Sequence, residues 1–554
     1  MPARRRAMKD EDDLAAPLVA RAAGKDISYR TWLYHHYTEP LDPFSDEFWW
    51  SSPAGGPAIK SKDGALVPPR FAWLPDITAF PNWSLLSHYF NVGVALNFLA
   101  TPVSYYLVET LNSSSAIVNT YSAATYLPWC LKIFFGLQSD LVPLFGMHRR
   151  SYYAIGWIVF VVSNIWLMLM GTPSAMAVIM LSFVQTMGAL LSDTVADAIV
   201  LECSKFESAA DKGRLRTHGY LVRQVGSTLG SLMGALLYNG KRTGGGWGWG
   251  LTIAQCFGLQ ALIVVASLLS LLPFMYELKM PAQQAQKTLR ELWGEMWNFV
   301  AMDGVWIPMM YLYFYNFCYI SNPAWYNFMY LGLNFTDFEV GVLFTIGSLL
   351  SCLGLWAYEK CFFQSRWRFL YLWTTFVSAV FSMMQVCLVV GKTFGMPNLL
   401  FATGDLSMQQ FVQTITFMPM CIMFFALIPE GTEGTTYALI STWQNVAAEV
   451  GYDIGTLFDC VVNVSNSAIE AGHNRGLLKL TVITSLIQFS PILFIYCSFR
   501  GVRFLPDSIA ETKEQTSASK TSQVGAAVFM FLFFGSIFAS VYEAVYVIYN
   551  PNSC

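Results

Sequence analysis

Seven ionisable residues lie inside long apolar runs of this chain: Lys132, Asp193, Asp197, Glu202, Arg223, Glu449 and Asp453. Such a group costs several kcal/mol in an apolar span unless it is paired or wetted, so each is a candidate for binding or coupling. Asp193 and Asp197 are four residues apart and share one helical face, where two like charges favour holding a proton. That arrangement suits a proton-coupling site. In the opposing reading Lys132 and Arg223 neutralise the two aspartates and fix helix packing.

A second constellation pairs Asp140 with Arg149 and Arg150 about nine residues on, and Glu359 with Arg366 and Arg368 repeats it in the second half. Such charges can brace neighbouring helix ends in one conformation and release them in another. Alternatively, they are loop charges that merely orient the chain. Other chemistries find no support. The six histidines are scattered without an H-x-x-x-D or H-E-x-x-H pattern, no G-x-S-x-G occurs, and none of the eleven cysteines forms a C-x-x-C. These absences argue against a membrane-embedded enzyme, a metal and a cofactor. A formal net charge of −3 gives no electrostatic reason to expect nucleic acid.

The elements that must position these groups follow from composition. Of 554 residues, 55% are apolar and 12% charged, against roughly 25% charged in an ordinary soluble domain. The chain is therefore expected to be an all-α polytopic membrane protein. Residues 1–83 hold ten Lys/Arg and eleven Asp/Glu and read as a flexible cytosolic tail, with the aromatic stretch Trp32 to Trp50 as a candidate interface segment. Beyond them, apolar runs long enough to cross a bilayer alternate with short polar breaks. Expected spans are 84–108, 115–138, 151–170, 174–201, 217–238, 250–272, 304–330, 338–358, 369–390, 407–428, 435–463 and 475–499. A thirteenth candidate at 524–548 follows a polar linker at 500–523, and either spans the bilayer or lies along its interface.

With the N-terminus inside, twelve Lys/Arg fall on inside loops and helix ends, from Arg149 to Arg368, and only Lys241, Arg242, Lys392 and Arg475 fall outside. A cytosolic connection at 273–303 then separates a bundle at 84–272 from one at 304–499. Six spans plus six is the major facilitator layout, with substrate bound near the midplane between the halves. Gly226, Gly230 and Gly234 in span 5, and Gly451 and Gly455 in span 11, read as close helix packing. The aromatics from Tyr311 to Tyr326 in span 7 could stack on a flat heterocycle or pack against neighbouring helices.

Three segments resemble one family, the folate–biopterin transporters of the major facilitator superfamily. PWCLKIFFGLQSD followed by LVPLFGMHRRSY (Pro128 to Tyr152) is similar to the family's passage from span 2 to span 3. GALLSDTVADAIVLE (Gly188 to Glu202) resembles its span 4 motif with paired aspartates, and PEGTEGTTYALISTWQN (Pro429 to Asn445) its approach to span 11. The resemblance implies proton-coupled uptake of folate, biopterin or a related pteridine. Asp193 or Asp197 would then meet the ring, and Lys132 and Arg223 the glutamate tail. The sequence His218-Gly-Tyr-Leu-Val-Arg223 departs from the family pattern beside the arginine and puts the substrate's identity in question. The alternative is a facilitator-fold carrier of another small organic anion, nucleoside or amino-acid derivative.

Overall fold

The computed structural model describes residues 59–60, 66–67 and 82–549, apart from 112–114, 146, 148, 205–206, 208–212, 242–246, 272–287, 321, 323–324, 326–327, 425–426, 429–432, 463, 465–468 and 470. The tail before Asn82 is described only at a two-residue pairing, β1 (Ile59–Lys60) with β2 (Leu66–Val67). The interface stretch Trp32 to Trp50 lies outside the described residues.

Span 1 comprises α1 (Trp83–Asn97) and α2 (Ala100–Tyr105), and span 2 comprises α3 (Ser115–Cys130) and α4 (Lys132–Leu141). Spans 3 to 6 are α5 (Arg150–Met170), α6 (Ala175–Ser204), α7 (Arg214–Leu237) and α8 (Ile253–Leu271). In the connecting segment, α9 (Leu289–Ala301) is started by a capping box between Thr288 and Glu291. Spans 7 to 12 follow as α10 (Asp303–Phe317), α11 (Asp337–Ala357), α12 (Trp367–Val389), α13 (Asn398–Ile422), α14 (Glu433–Val462) and α15 (Arg475–Phe489). Span 10 was expected from 407 but begins at Asn398, so that its polar first turns, including Asp405, belong to the bundle.

Among the described residues, six helical stretches are long and apolar enough by themselves to cross a membrane: Arg150–Met170, Ala175–Ser204, Phe338–Phe362, Trp367–Val389, Arg475–Phe494 and Gln523–Tyr542. The remaining helices are shorter, broken or more polar. Span 2 is interrupted at Leu131, after Pro128, and α7 carries Arg214, Arg216 and Arg223. Helices that turn polar groups inward need neighbours to cover them.

Glycines let those neighbours approach. A Cβ built at Gly226 of α7 would run into the Phe90 carbonyl oxygen of α1, and at Gly188 of α6 one would stand 2.5 Å from the Gly156 carbonyl of α5. Backbone-to-backbone contact of this kind sets the α1–α7 and α5–α6 pairs. The most extensive contacts between the halves are α7 with α11 and α4 with α14, and α14 also touches α3 and α6.

The expected polar linker at 500–523 is structured. After α15 the chain forms a hairpin of β3 (Ser498–Phe499) and β4 (Val502–Arg503), and then α16 (Ile509–Ala518). Arg368 at the start of α12 holds this segment, donating to Asp507 at 2.9 Å, to Glu511 at 2.5 Å and to the Leu505 carbonyl at 2.7 Å. Arg368, the last member of the second-half copy of the Asp140 constellation, is thus wired to the C-terminal segment. Partial burial opposes the charge on Glu511, but the Asp507 backbone N–H, Arg368 and Arg503 outweigh it and hold the carboxyl below the usual glutamate range. A depressed carboxyl contributes stability above its unfolded value, near 4.3, and loses it as pH falls through the folded one. The hydrogen-exchange protection of 498–518, relative to the intrinsic rate at each pH, is therefore expected to fall only once pH drops below about 4, and R368A to remove that protection already at neutral pH.

The thirteenth helix, α17 (Gln523–Tyr549), buries the stripe Ala526, Phe529, Met530, Phe533 and Ile537 and exposes Val524, Phe531 and Phe538. It lies against α3, α14, α9 and α10. Trp443 of α14 stacks on Phe529 with ring centroids 3.9 Å apart, and the Tyr313 and Ser536 hydroxyls meet at 2.8 Å. The span 7 aromatics Tyr311, Tyr313 and Tyr315 accordingly pack within the second half and against this helix.

Candidate functional site

Four of the sequence-selected residues come together inside the first half. Asp193 and Asp197 stack one turn apart on α6, both essentially inaccessible to solvent. The break at Leu131 places Lys132 at the first position of α4, from which its Nζ reaches Asp193 Oδ2 at 2.7 Å and Asp197 Oδ2 at 3.4 Å. Arg223 Nη1 approaches Asp193 Oδ1 at 3.3 Å.

Arg216 completes the cluster. Sequence reading placed it among inside-loop charges, because span 5 was expected to start at 217. In the structure α7 starts earlier: Gly213 takes a left-handed conformation, and Glu207 accepts the Gly213 and Leu215 N–H groups at 2.7 and 2.6 Å. The first helical turn then aims Arg216 inward, fully buried, where Nη1 pairs with Asp197 Oδ1 and donates to the Tyr89 hydroxyl at 2.9 Å. Its Nη2 donates to Tyr220 at 2.8 Å and to Tyr437 of α14, which brings the second half into the cluster. Tyr89 in turn donates to Asp197 Oδ1 at 3.0 Å.

His88, one residue earlier on α1, points Nε2 toward Asp193 Oδ1 at 3.7 Å, while its Nδ1 accepts the Trp157 indole N–H at 3.2 Å. A neutral His88 therefore carries its proton on Nε2. Neither His88 nor Tyr89 has a spacing signal in the sequence. The one available hint was a histidine in the middle of an apolar run.

Lys132 bridges the two aspartates, Arg223 adds to Asp193, and Arg216, which the sequence left in a loop, pairs with Asp197. Three cations, Lys132, Arg216 and Arg223, face two carboxylates, leaving one positive charge in excess. Aromatic rings wall the cations. Trp129 lies 5.5 Å from Lys132 and 5.4 Å from Arg223, and Tyr220 lies 4.4 Å from Arg216.

Glu449 is buried farther along α14, one turn from Asn445, whose carbonyl accepts from Tyr126 at 3.5 Å. Of Asp453 only the helical backbone is described; its side chain lies outside the described residues.

The candidate gate also forms a connected unit. Asp140, at the end of α4, accepts from both the Thr435 N–H and its hydroxyl at 2.7 Å, so a first-half carboxylate caps α14 of the second half. Arg149, buried, donates to Asp140 at 2.6 Å and to Ser139 at 2.9 Å, and its Nε and Nη2 reach Glu202 of α6 at 3.0 and 2.9 Å. Arg150 is the first residue of α5 and is half-buried. At the other inter-half pair, His218 of α7 meets Glu359, just past α11, at 3.2 Å.

Two sets of six helices closed around a buried charge cluster, with one end latched between the sets, define a membrane carrier of the major facilitator type. The crystal structure of a D-xylose–proton symporter superposes with a TM-score of 0.52 over 80% of this chain and 98% of its own, at 15% identity. Residues 92–523 match the BT1 family, and the chain belongs to it. Its relatives include a folate-biopterin transporter of Synechocystis sp., 26% identical over 75% of this chain and 81% of the relative. The probable folate-biopterin transporter 2 of Arabidopsis thaliana is 24% identical over 82% and 92%. Folate transporter 1 of Plasmodium falciparum is 21% identical over 76% and 79%. The chain is a multi-pass membrane transporter and not an enzyme.

Proposed function

We propose that this protein carries folate, biopterin or a related pteridine across a membrane by alternating access, driven by protons, with its N-terminus cytosolic. The observation that carries the reading is the excess positive charge in an aromatic-walled cluster between α1, α4, α6 and α7. A buried uncompensated charge is unfavourable, and an anionic solute would complete it. Lys132 and Arg223 take the glutamate carboxylates of a folate in this reading, and Asp193 or Asp197 accepts adjacent N–H donors of the pterin ring, which folate and biopterin share. Glu449 and Asp453 of α14 supply the second-half side of the pathway, and Asp140, Arg149 and Arg150 form the cytosolic gate.

The test is counterflow in proteoliposomes. Labelled folate or biopterin is expected to exchange with the unlabelled solute inside, and K132A to lose that exchange. A purified wild-type protein that exchanges neither pteridine would refute the substrate assignment. The cation excess fits other organic anions as well, so a competition series of unrelated carboxylates and nucleosides decides between the two substrate classes.

A further inference from the structure

Asp405 is a buried carboxyl that the central cluster does not use. It lies two turns into α13 and is 3% exposed. Gln385 Nε2 of α12 donates to its Oδ2 at 2.9 Å, and Gln409 Nε2, one turn on, donates to its Oδ1 at 3.0 Å. The Tyr319 hydroxyl donates to Gln409 Oε1 at 3.1 Å, which fixes that amide with its nitrogen toward Asp405. Apolar Phe401, Ala402, Leu388, Met384, Cys387 and Leu406 belong to the cluster packed around this level of the bundle.

No cation pairs with Asp405 among the described residues. The contrast with Asp193, Asp197, Asp140 and Glu202 is direct, since each of those has Lys or Arg within 3.4 Å or closer. The ionisable residues on the helices packed against α13 do not supply a counter-charge. On α11 they are Asp337 and Glu339 of the first turn, the latter bonded to Thr336, and the Cys352 thiol. On α12 they are the Cys387 thiol and Tyr371, with Arg368 at the far end, committed to Asp507 and Glu511. Lys392 follows α12 on an exposed turn. Neutral amide donors soften a buried carboxylate but do not balance it, and a proton removes the charge altogether.

We propose that Asp405 is where the proton is bound and released during the cycle, in the second half, while the first-half cluster holds the anion. The coupling part rests on the carrier reading above; proton binding at Asp405 does not. The connection to the moving parts is short. Tyr319 stands just past the end of α10, where span 7 leaves its helix, so a change of charge at Asp405 reaches that break through Gln409.

Two measurements test this. In proteoliposomes, D405N is expected to keep pteridine counterflow without a pH gradient but to lose gradient-driven accumulation, worth about tenfold per proton for one imposed pH unit. D405N accumulating as the wild type does would overturn the proposal. If the wild type shows no counterflow at all, it is the carrier reading that fails, and labelling of wild-type protein with dicyclohexylcarbodiimide then decides for Asp405. That reagent modifies protonated buried carboxyls. An adduct on Asp405 that fades as pH rises supports the site, whereas adducts on Asp193 or Asp197 with none on Asp405 overturn it. Should D405N fail to insert, D405E keeps the carboxyl and is expected to retain gradient stimulation with a displaced pH profile; D405E accumulating with an unchanged profile, and no adduct on Asp405, would count against it.

Discussion

R216A is expected to abolish transport and to destabilise the protein more than any other single substitution in the cluster. Arg216 neutralises Asp197 and donates to three phenols, Tyr89, Tyr220 and Tyr437. Removing one partner of a buried ion pair costs about 3–5 kcal/mol, because the other charge stays behind without its counter-ion. Lys132 at 3.4 Å and the Tyr89 hydroxyl at 3.0 Å compensate only in part. R216K should do little better, since an ammonium cannot hold the fork of four oxygens that the planar guanidinium reaches. The double substitution R216M/D197N separates structure from function. It removes both charges, so thermal stability in detergent should recover relative to R216A, while uptake remains lost. Uptake near the wild-type level in R216A would sink the role assigned to this residue.

That residue also marks how far the sequence could be read. The helical framework was visible because bilayer thickness forces long apolar runs, and the expected spans lie within a few residues of the helices for α5, α6, α11, α12 and α17. Boundaries were set by hydropathy, and hydropathy fails at the ends of helices that turn charges inward. Arg216 falls in a run of basic residues and was counted with the loop, although Glu207 and Gly213 start the helix before it. Asp405 was left outside span 10 for the same reason. Its neighbours Thr403, Gly404 and Ser407 look like a loop until Gln385 and Gln409 close around the carboxyl. Intrahelical spacing did find the Asp193–Asp197 face, and a lysine inside an apolar span marked Lys132 as its candidate partner; the break at Leu131 that aims it there shows only in the structure. The contributions of His88, Tyr89 and Tyr437 depend on which helices lie side by side, and one sequence carries no record of that. The second-half copy of the constellation divides in the structure: Glu359 meets His218 across the halves, while Arg368 is taken up by a C-terminal segment that the repeat does not contain.

D140A should free the Arg149 end of the bundle. The carboxylate does two separate jobs there. It caps α14 through the Thr435 N–H and hydroxyl, and it takes a charge-assisted hydrogen bond from Arg149. A lost cap costs about 1 kcal/mol, and a lost hydrogen bond to a charged group about 2 kcal/mol. Only the cap crosses between the halves directly; Arg149 acts on it by fixing the carboxylate. Only the cap differs between the open and closed arrangements, so D140A shifts their ratio by about 1 kcal/mol, roughly fivefold. Hydrogen exchange of the peptide covering Glu433 to Ile440 reads this without any substrate, since the Thr435 amide is bonded to Asp140 in the closed arrangement. E202Q is the control. It removes Arg149's other carboxylate partner, which belongs to the same half, so it should perturb exchange at Thr435 far less than D140A does. Equal exchange in D140A and the wild type would mean that the closed end is held elsewhere. Other inter-half contacts near that end are His218 with Glu359 at 3.2 Å and Arg216 with Tyr437, and H218A with D140A in one protein would then show how far the histidine contact holds the end.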